Sequence, residues 1–388
     1  MDAASLIANA VSTGVQTVAS MVGLPPGAHW QPIYRLIYNG KDVTSSLAGR
    51  LLDLTLRDQR GFEADQLDIT LDDSDGALPL PAAGATLDLA IGWQHLGLIS
   101  KGTFKIDDVE HSGAPDTITI RARAANMAGG LTTKKEVSWH QTNVGTIVQT
   151  IAVRNNLTPK IHEKLGSMPV PHMDQANESD ANFLTRLAEQ HDAIASVKDG
   201  KLLFMPAGFS ETVSGKAIPT LVITRSIGDQ HRYSLSNGQA YNKVKAYYYD
   251  VKAGKRGEVV VDKNTPPVLP KAKKSRRKKV KPPPRAVKPA APSKDTAEVE
   301  NLLVLRHTYA TQNNAERAAQ AALAKAERGK ASFSITLARG NPLLFPETPA
   351  KLLGFKNELD GDSWIVTQCT HTINGSGYTT QVECEVAL

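Results

Sequence analysis

Between residues 32 and 125 the chain alternates apolar and polar positions with period two. Leu52, Leu54 and Leu56 alternate with Asp53, Thr55 and Arg57; Leu67, Ile69 and Leu71 alternate with Asp68, Thr70 and Asp72. Leu87, Leu89, Ile91 and Trp93 repeat the pattern, as do Ile118 and Ile120 between Thr117, Thr119 and Arg121. Such alternation puts one face of a strand on a core and the other in water, so it predicts half-buried antiparallel strands. Asp75-Gly76 and Ala83-Gly84 supply turns between the runs. Several short strands at this spacing predict a closed or nearly closed barrel.

The period changes over residues 140–205. Thr142 can cap a helix carrying Val144, Ile147, Val148, Ile151 and Ala152 on one face. Glu178-Ser179-Asp180 suits the start of a second helix, 180–192, with Phe183, Leu184, Leu187, Ala188 and His191 on its apolar face. Lys198-Asp199-Gly200-Lys201 then turns into a strand at Leu202–Phe204, completing a small α+β unit. From about residue 219 the β pattern returns: Leu221 and Ile223, then Val244, Ala246 and Tyr248 against Lys243, Lys245, Tyr247 and Tyr249. A helix over Asn314–Arg328 presents Ala315, Ala318, Ala319, Ala322 and Leu323, and Gly329 ends it. Phe333-Ile335-Leu337, Ile365-Thr367-Cys369 and Tyr378-Thr380-Val382-Cys384-Val386 close the chain as strands.

Charge changes this picture at one place. The block from Lys263 to Lys294 holds twelve Lys and Arg, eight Pro and no Asp or Glu. The whole chain has 45 basic and 39 acidic residues; without this block 33 basic residues face 39 acidic ones, so a formal charge of +6 becomes −6. The protein is an acidic body with a basic, proline-rich insert, and the charge sits where no core can form. Aromatic residues make up 5% of the chain, too few for stacking platforms that bind single-stranded nucleic acid. Two cysteines, Cys369 and Cys384, give neither a disulfide framework nor a zinc quartet, and synthesis in a reducing cytoplasm is expected.

Residues 3–28 carry no charge. They lack the basic start of a signal peptide, and Ser, Thr, Asn, Gln and Gly dilute them below a membrane span. Leu6, Ala10, Val11, Gly14 and Val18 recur at helical spacing before Gly23-Leu24-Pro25-Pro26-Gly27 stops the pattern. Two readings stand: a loose extension, or a segment that orders on a partner.

No catalytic signature survives inspection. His162-Glu163 lacks the second histidine of a zincin helix, and no nucleophile elbow, dinucleotide fingerprint or phosphate loop is present. Asp73-Ser74-Asp75-Gly76 resembles part of a calcium loop, but that frame puts Leu71 and Ala82 where oxygen ligands belong, so a solvated turn is expected. His191 reads as a packed histidine. Cys369 and His371, at i and i+2 on one strand face, read as a core pair, because two ligands do not make a structural metal site. Asp72-Asp73 and Asp107-Asp108 point to opposite strand faces and are expected as solvated strand ends. The expectation is no catalytic, cofactor or metal residues, and no enzyme activity.

Longer runs carry a resemblance. They are RGFEADQLDITL from Arg60, GAPDTITIRAR from Gly113, ESDANFLTRLAE from Glu178, KDGKLLF from Lys198, the helix over Tyr309–Ala322, and THTINGSGYTT from Thr370. With these the chain resembles the phage late control D proteins, the baseplate hub proteins of contractile-tailed temperate phages. The resemblance covers nearly everything from residue 33 to 388, and the basic insert before the last domain also fits it; the extension to residue 28 departs from it.

The resemblance implies a mainly β fold with an α+β part: two tube-like antiparallel β-barrel domains flanking a small α+β domain, similar in architecture to the hub part of type VI secretion spike proteins. The domains fall at 29–128, 129–215, and 216–262 with 296–388, with the extension at 1–28 and the insert at 263–295. It implies a homotrimer whose six barrels meet a six-fold tail tube on one side and a three-fold spike on the other, around a channel for DNA. Implied partners are further copies of the chain, the trimeric tail spike protein, the tail tube protein, the tape measure protein and the baseplate wedge proteins. DNA is a partner only in passage, and no membrane is. The place is the virion's tail baseplate, assembled in the host bacterial cytoplasm. Two alternatives are a nucleic-acid-binding regulatory protein acting through the insert, which requires salt-dependent DNA binding, and a cell-wall hydrolase, which lacks catalytic residues.

Overall fold

The structure, a computed structural model, describes residues 29–125, 130–198, 200–208, 210, 216–236, 241–250, 254–266 and 301–388. The extension 1–28 and almost all of the insert therefore lie outside the described residues. The chain forms two compact units, residues 1–240 with 324–388, and residues 241–323.

In the first unit, the first β region forms β1 (Pro32–Tyr38), β2 (Lys41–Asp42), β3 (Leu51–Gln59), β4 (Gln66–Asp72), β5 (Thr86–Trp93), β6 (Gly97–Ser112) and β7 (Thr117–Ala124). The inward positions expected from the alternation are buried, from Leu54 and Leu56 through Leu67, Ile69, Leu87, Leu89, Ile91 and Trp93 to Ile118 and Ile120. Leu52 is the exception, at 46% exposure. The register between β3 and β4 shifts between Leu51 and Asp53, so Leu52 is the extra residue of a bulge and turns outward.

The α+β part follows as β8 (Lys134–Asn143), α1 (Val144–Arg154), β9 (Thr158–Ile161), α2 (Glu163–Gly166), β10 (Pro169–Ser179), α3 (Asp180–Glu189), β11 (Ala193–Lys198) and β12 (Lys201–Pro206). β8 and β10 pair as a ribbon, and β11, β12 and β9 form a three-stranded sheet. The cap of α1 is Asn143 rather than Thr142: its side chain accepts a hydrogen bond from Thr146 N. Ser179 caps α3 in the same way, accepting from Asn182 N. Helix α3 ends at Glu189, so His191 lies beyond it and is half-buried. Phe183, Leu184 and Leu187 are fully buried against Val148, Ile151 and Phe204 among others. Leu187→Ala is expected to cost about 2–5 kcal/mol in a denaturant titration, the range for a leucine removed from a packed core.

The chain then forms β13 (Leu221–Thr224), β14 (Gly228–Leu235), β15 (Lys243–Asp250), β16 (Lys255–Asp262), β17 (Leu302–Tyr309), α4 (Gln312–Arg328), β18 (Ala331–Leu337), β19 (Pro349–Leu353), α5 (Asn357–Asp360), β20 (Ser363–Asn374) and β21 (Gly377–Val386). Residues 241–323, placed by sequence within the second β region, pack as the second unit. β15, β16 and β17 form a sheet of their own. Val244, Ala246, Val259 and Val261 on it make a separate core with Ala315, Ala318, Ala319 and Leu323 of α4.

The remaining strands of the first unit join in one 13-stranded sheet of order β14-β18-β21-β20-β3-β4-β7-β6-β5-β1-β2, with β19 on β20 and β13 on β19. The joint is β20. Its first residues pair with β19, from Ile365 opposite Pro349 to Ser363 opposite Lys351. The residues from Gln368 to Asn374 pair with β3, from Gln59 to Asp53. A register shift against β21 between Val366 and Gln368 marks the change of partner. The bulge also breaks the expected alternation: Ile365 and Val366 are both buried, Thr367 is not, and Cys369 resumes the inward face. One strand thus closes two cores, with Trp364, Val366 and Cys369 in the second and Ile373 in the first, where Tyr378 of β21 joins it.

Candidate functional site

The strand exchange at β20 gathers one cluster of buried polar groups. His371, two residues past Cys369, is fully buried. Its Nδ1 lies 2.9 Å from Thr380 Oγ1 and 3.0 Å from Tyr378 Oη, and its Nε2 lies 3.1 Å from Lys101 Nζ. Lys101 also donates to Leu344 O at 3.1 Å. An ammonium has only donors, so His371 Nε2 accepts and the ring proton sits on Nδ1. Burial, and then the Lys101 charge, hold His371 well below the usual histidine range. Burial likewise lowers Lys101. Cys369 is also fully buried, and burial raises its thiol well above the ordinary value. The expected core pair is therefore part of a larger polar cluster.

Lys101 is placed by a second bulge. Leu89 faces Gly102 and Ala90 faces Ser100, leaving Lys101 as the extra residue of β6. Lys-Gly inside an apolar strand pattern is the sequence signal for such a bulge, but not for what the lysine reaches. Beside it Trp93 Nε1 donates to Gly340 O at 2.8 Å. Gly340 is dictated by packing, since a Cβ there would come within 2.5 Å of the Tyr378 ring.

Two ion-pair groups tie the α+β part to both β regions of the first unit. Lys198 Nζ lies 2.8 Å from Asp58 and 2.5 Å from Asp65. Burial, reinforced by Asp58, raises Asp65, while Lys198 opposes the shift. Arg60 bridges Glu347 and Glu385, at 2.5 Å each. Arg328 reaches Asp192 at 2.9 Å and lies 3.6 Å from Glu385. Glu347 accepts from Gly208 N at 2.9 Å, and burial raises its carboxyl despite Arg60. None of Lys101, Arg60, Arg328 or Glu347 stands out in the sequence, because single charges in polar runs read as surface. The arrangement fixes three parts of one chain against each other.

Apart from Cys369 and His371, the candidate residues of the sequence lie elsewhere. Asp72 accepts from Ser74 N, and Asp75 pairs with Arg50. Asp73 is buried, correcting its expected solvation, because its carboxylate accepts from Leu78 N and so closes the turn. Asp107 and Asp108 are exposed and pair with Arg123 and Arg121. His162 is buried ahead of α2, and Glu163 opens that helix. Among the described residues no three His, Cys, Asp or Glu converge to hold a metal, and no helix is long and apolar enough to cross a membrane.

The phage tail baseplate hub (GPD) family matches residues 59–377. A protein of Escherichia phage 186 described as "Probable baseplate hub protein" is 45% identical over 368 residues, covering 93% of this chain and 95% of its own. The 43 kDa tail protein of prophage MuSo2 from Shewanella oneidensis shares the fold at a TM-score of 0.62 and 15% identity, over 91% of this chain and 98% of that one. A chain of the lidded Francisella PdpA-VgrG complex shares it at a TM-score of 0.53 and 9% identity, over 93% of this chain and 53% of that one. The mainly β architecture, the strands quoted from Arg60 to Tyr378 and these likenesses agree: the chain belongs to the phage tail baseplate hub family and is a structural component of the virion's tail baseplate.

Proposed function

We propose that the chain acts mechanically, as a trimer that joins a six-fold tail tube to a three-fold spike and encloses the channel through which DNA leaves. The observation that carries this reading is β20. A strand shared by the two β regions of the first unit ties them into one sheet, so, with each region as one barrel of the hub, three chains would present six barrels to the tube in fixed register. Closed rings also cover strand edges that would otherwise pair at random. An acidic body suits a DNA conduit, because a basic lining would hold phosphates. The partners are then further copies of the chain, the spike, the tube, the tape measure and the wedge proteins. Assembly takes place in the host cytoplasm, and the chain does no catalysis.

Mass photometry of the purified chain, alone and mixed with its spike protein, tests this. A trimer in at least one of the two samples is expected, with three-fold rings in images. Monomers at micromolar concentration in both would overturn it.

A further inference from the structure

The ribbon of β8 and β10 is pinned from one side. Trp139 and Met173, opposite each other in its register, pack on the core of the α+β part, and Trp139 stacks on Phe183 with ring centroids 6.2 Å apart. The next cross-strand pair is His140 and His172, both exposed, on the other face. Their Nδ1 atoms lie 2.9 Å apart, and the rings are within 17° of parallel with centroids 4.6 Å apart. His172 Nε2 lies 3.0 Å from Asp174 Oδ2, two residues further along the same face. A carboxylate only accepts, so in the neutral ring Nε2 carries the His172 proton and Nδ1 keeps its lone pair. That lone pair takes the hydrogen bond from His140 Nδ1.

We propose that His140 and His172 bind one divalent transition cation of the copper or nickel kind through their Nδ1 atoms, with Asp174 positioning His172. Imidazole nitrogens suit these ions. Donors 2.9 Å apart, each about 2.0–2.1 Å from one ion, subtend about 90° at it. That is the cis angle of the square-planar and tetragonal geometries that copper and nickel adopt, and it is narrower than the tetrahedral angle of zinc. On binding, His140 gives up its Nδ1 proton and takes one from water at Nε2, so the ring stays neutral. His172 needs no such change, because Asp174 already holds its proton on Nε2, as a carboxylate behind a metal-bound histidine does. Both rings are exposed, and water completes the coordination. Two protein ligands make an open site, unlike the four-ligand sites that hold a fold together. Nothing local in the sequence sets two histidines 32 residues apart side by side; the register of β8 and β10 does.

The test titrates the untagged full chain with copper(II) chloride, using calorimetry and the nitrogen hyperfine pattern of the copper electron paramagnetic resonance spectrum. One equivalent is expected to bind with two imidazole nitrogens, more tightly than anything seen in the double variant His140→Ala/His172→Ala. His140→Ala and His172→Ala should each weaken that equivalent about tenfold or more, because two ligands on one scaffold act together, and each should leave one nitrogen in the pattern. Asp174→Asn should weaken it about tenfold while both nitrogens remain. All three residues are exposed, so the variants are expected to fold. Copper affinity in the unaltered chain no greater than in the double variant overturns the proposal. So does a two-nitrogen pattern that survives both single histidine variants.

Discussion

Asp180→Ala is expected to remove about 3–5 kcal/mol of stability, the loss found when one partner of a buried ion pair is deleted and the other is left unpaired. Asp180 is the first residue of α3 and is fully buried. Its carboxylate accepts from Lys135 Nζ at 2.7 Å, Arg154 Nε at 2.9 Å, Asn155 Nδ2 at 2.9 Å and Gln175 Nε2 at 2.8 Å. These donors come from β8, the end of α1 and the residue after it, and β10, so one carboxylate fastens four pieces of the α+β part. Its place at a helix start adds the favourable end of the helix dipole. Urea titration followed by far-ultraviolet circular dichroism measures the effect, and a loss below about 1 kcal/mol, ordinary for a surface site, would contradict it.

The same residue fixes a pH dependence. Burial pushes the Asp180 carboxyl up, but the hydrogen bonds from Lys135, Gln175, Asn155 and Arg154 together outweigh it and hold the group below the usual range. A carboxyl depressed in the folded state stabilises fully above its unfolded value, about 3.9, and that contribution fades as pH falls through the folded value. The stability difference between the unaltered chain and Asp180→Asn should therefore be constant at neutral pH and narrow below about pH 4. A difference that stays constant down to about pH 2 would show that the carboxylate is not the source.

Tyr378→Ala is expected to cost about 3–5 kcal/mol, the range for an aromatic side chain removed from a core. Tyr378 is 1% exposed and packs on Trp93 with ring centroids 5.2 Å apart. It belongs to the core of the first β region although it is carried by the β20–β21 hairpin. Tyr378→Phe should cost only about 0.5–1.5 kcal/mol, the net worth of one hydrogen bond, because His371 Nδ1 keeps Thr380. The gap between the two variants separates packing from the polar cluster. If both cost the same, the hydroxyl rather than the ring would be holding the two β regions together.

By itself the sequence determined the elements. Period-two runs such as Leu67-Ile69-Leu71 and Leu87–Trp93 specify strands with one wet face, and Phe183-Leu184-Leu187 specifies a helix stripe, because side-chain direction follows directly from backbone period. The family was also legible, in runs such as the one from Arg60 to Leu71. Tertiary structure alone decided which strands became neighbours. Nothing local pairs Thr372 with Thr55, more than 300 residues earlier, since any half-buried edge could serve β20 until both cores compete for it. The bulges at Leu52, Lys101 and Thr367 were hidden for a related reason. An inserted residue costs little along the chain and shows only as a slip against a partner strand. Asp180, Lys101 and Glu347 read as ordinary charges, because their burial follows from donors and acceptors that distant segments bring to them.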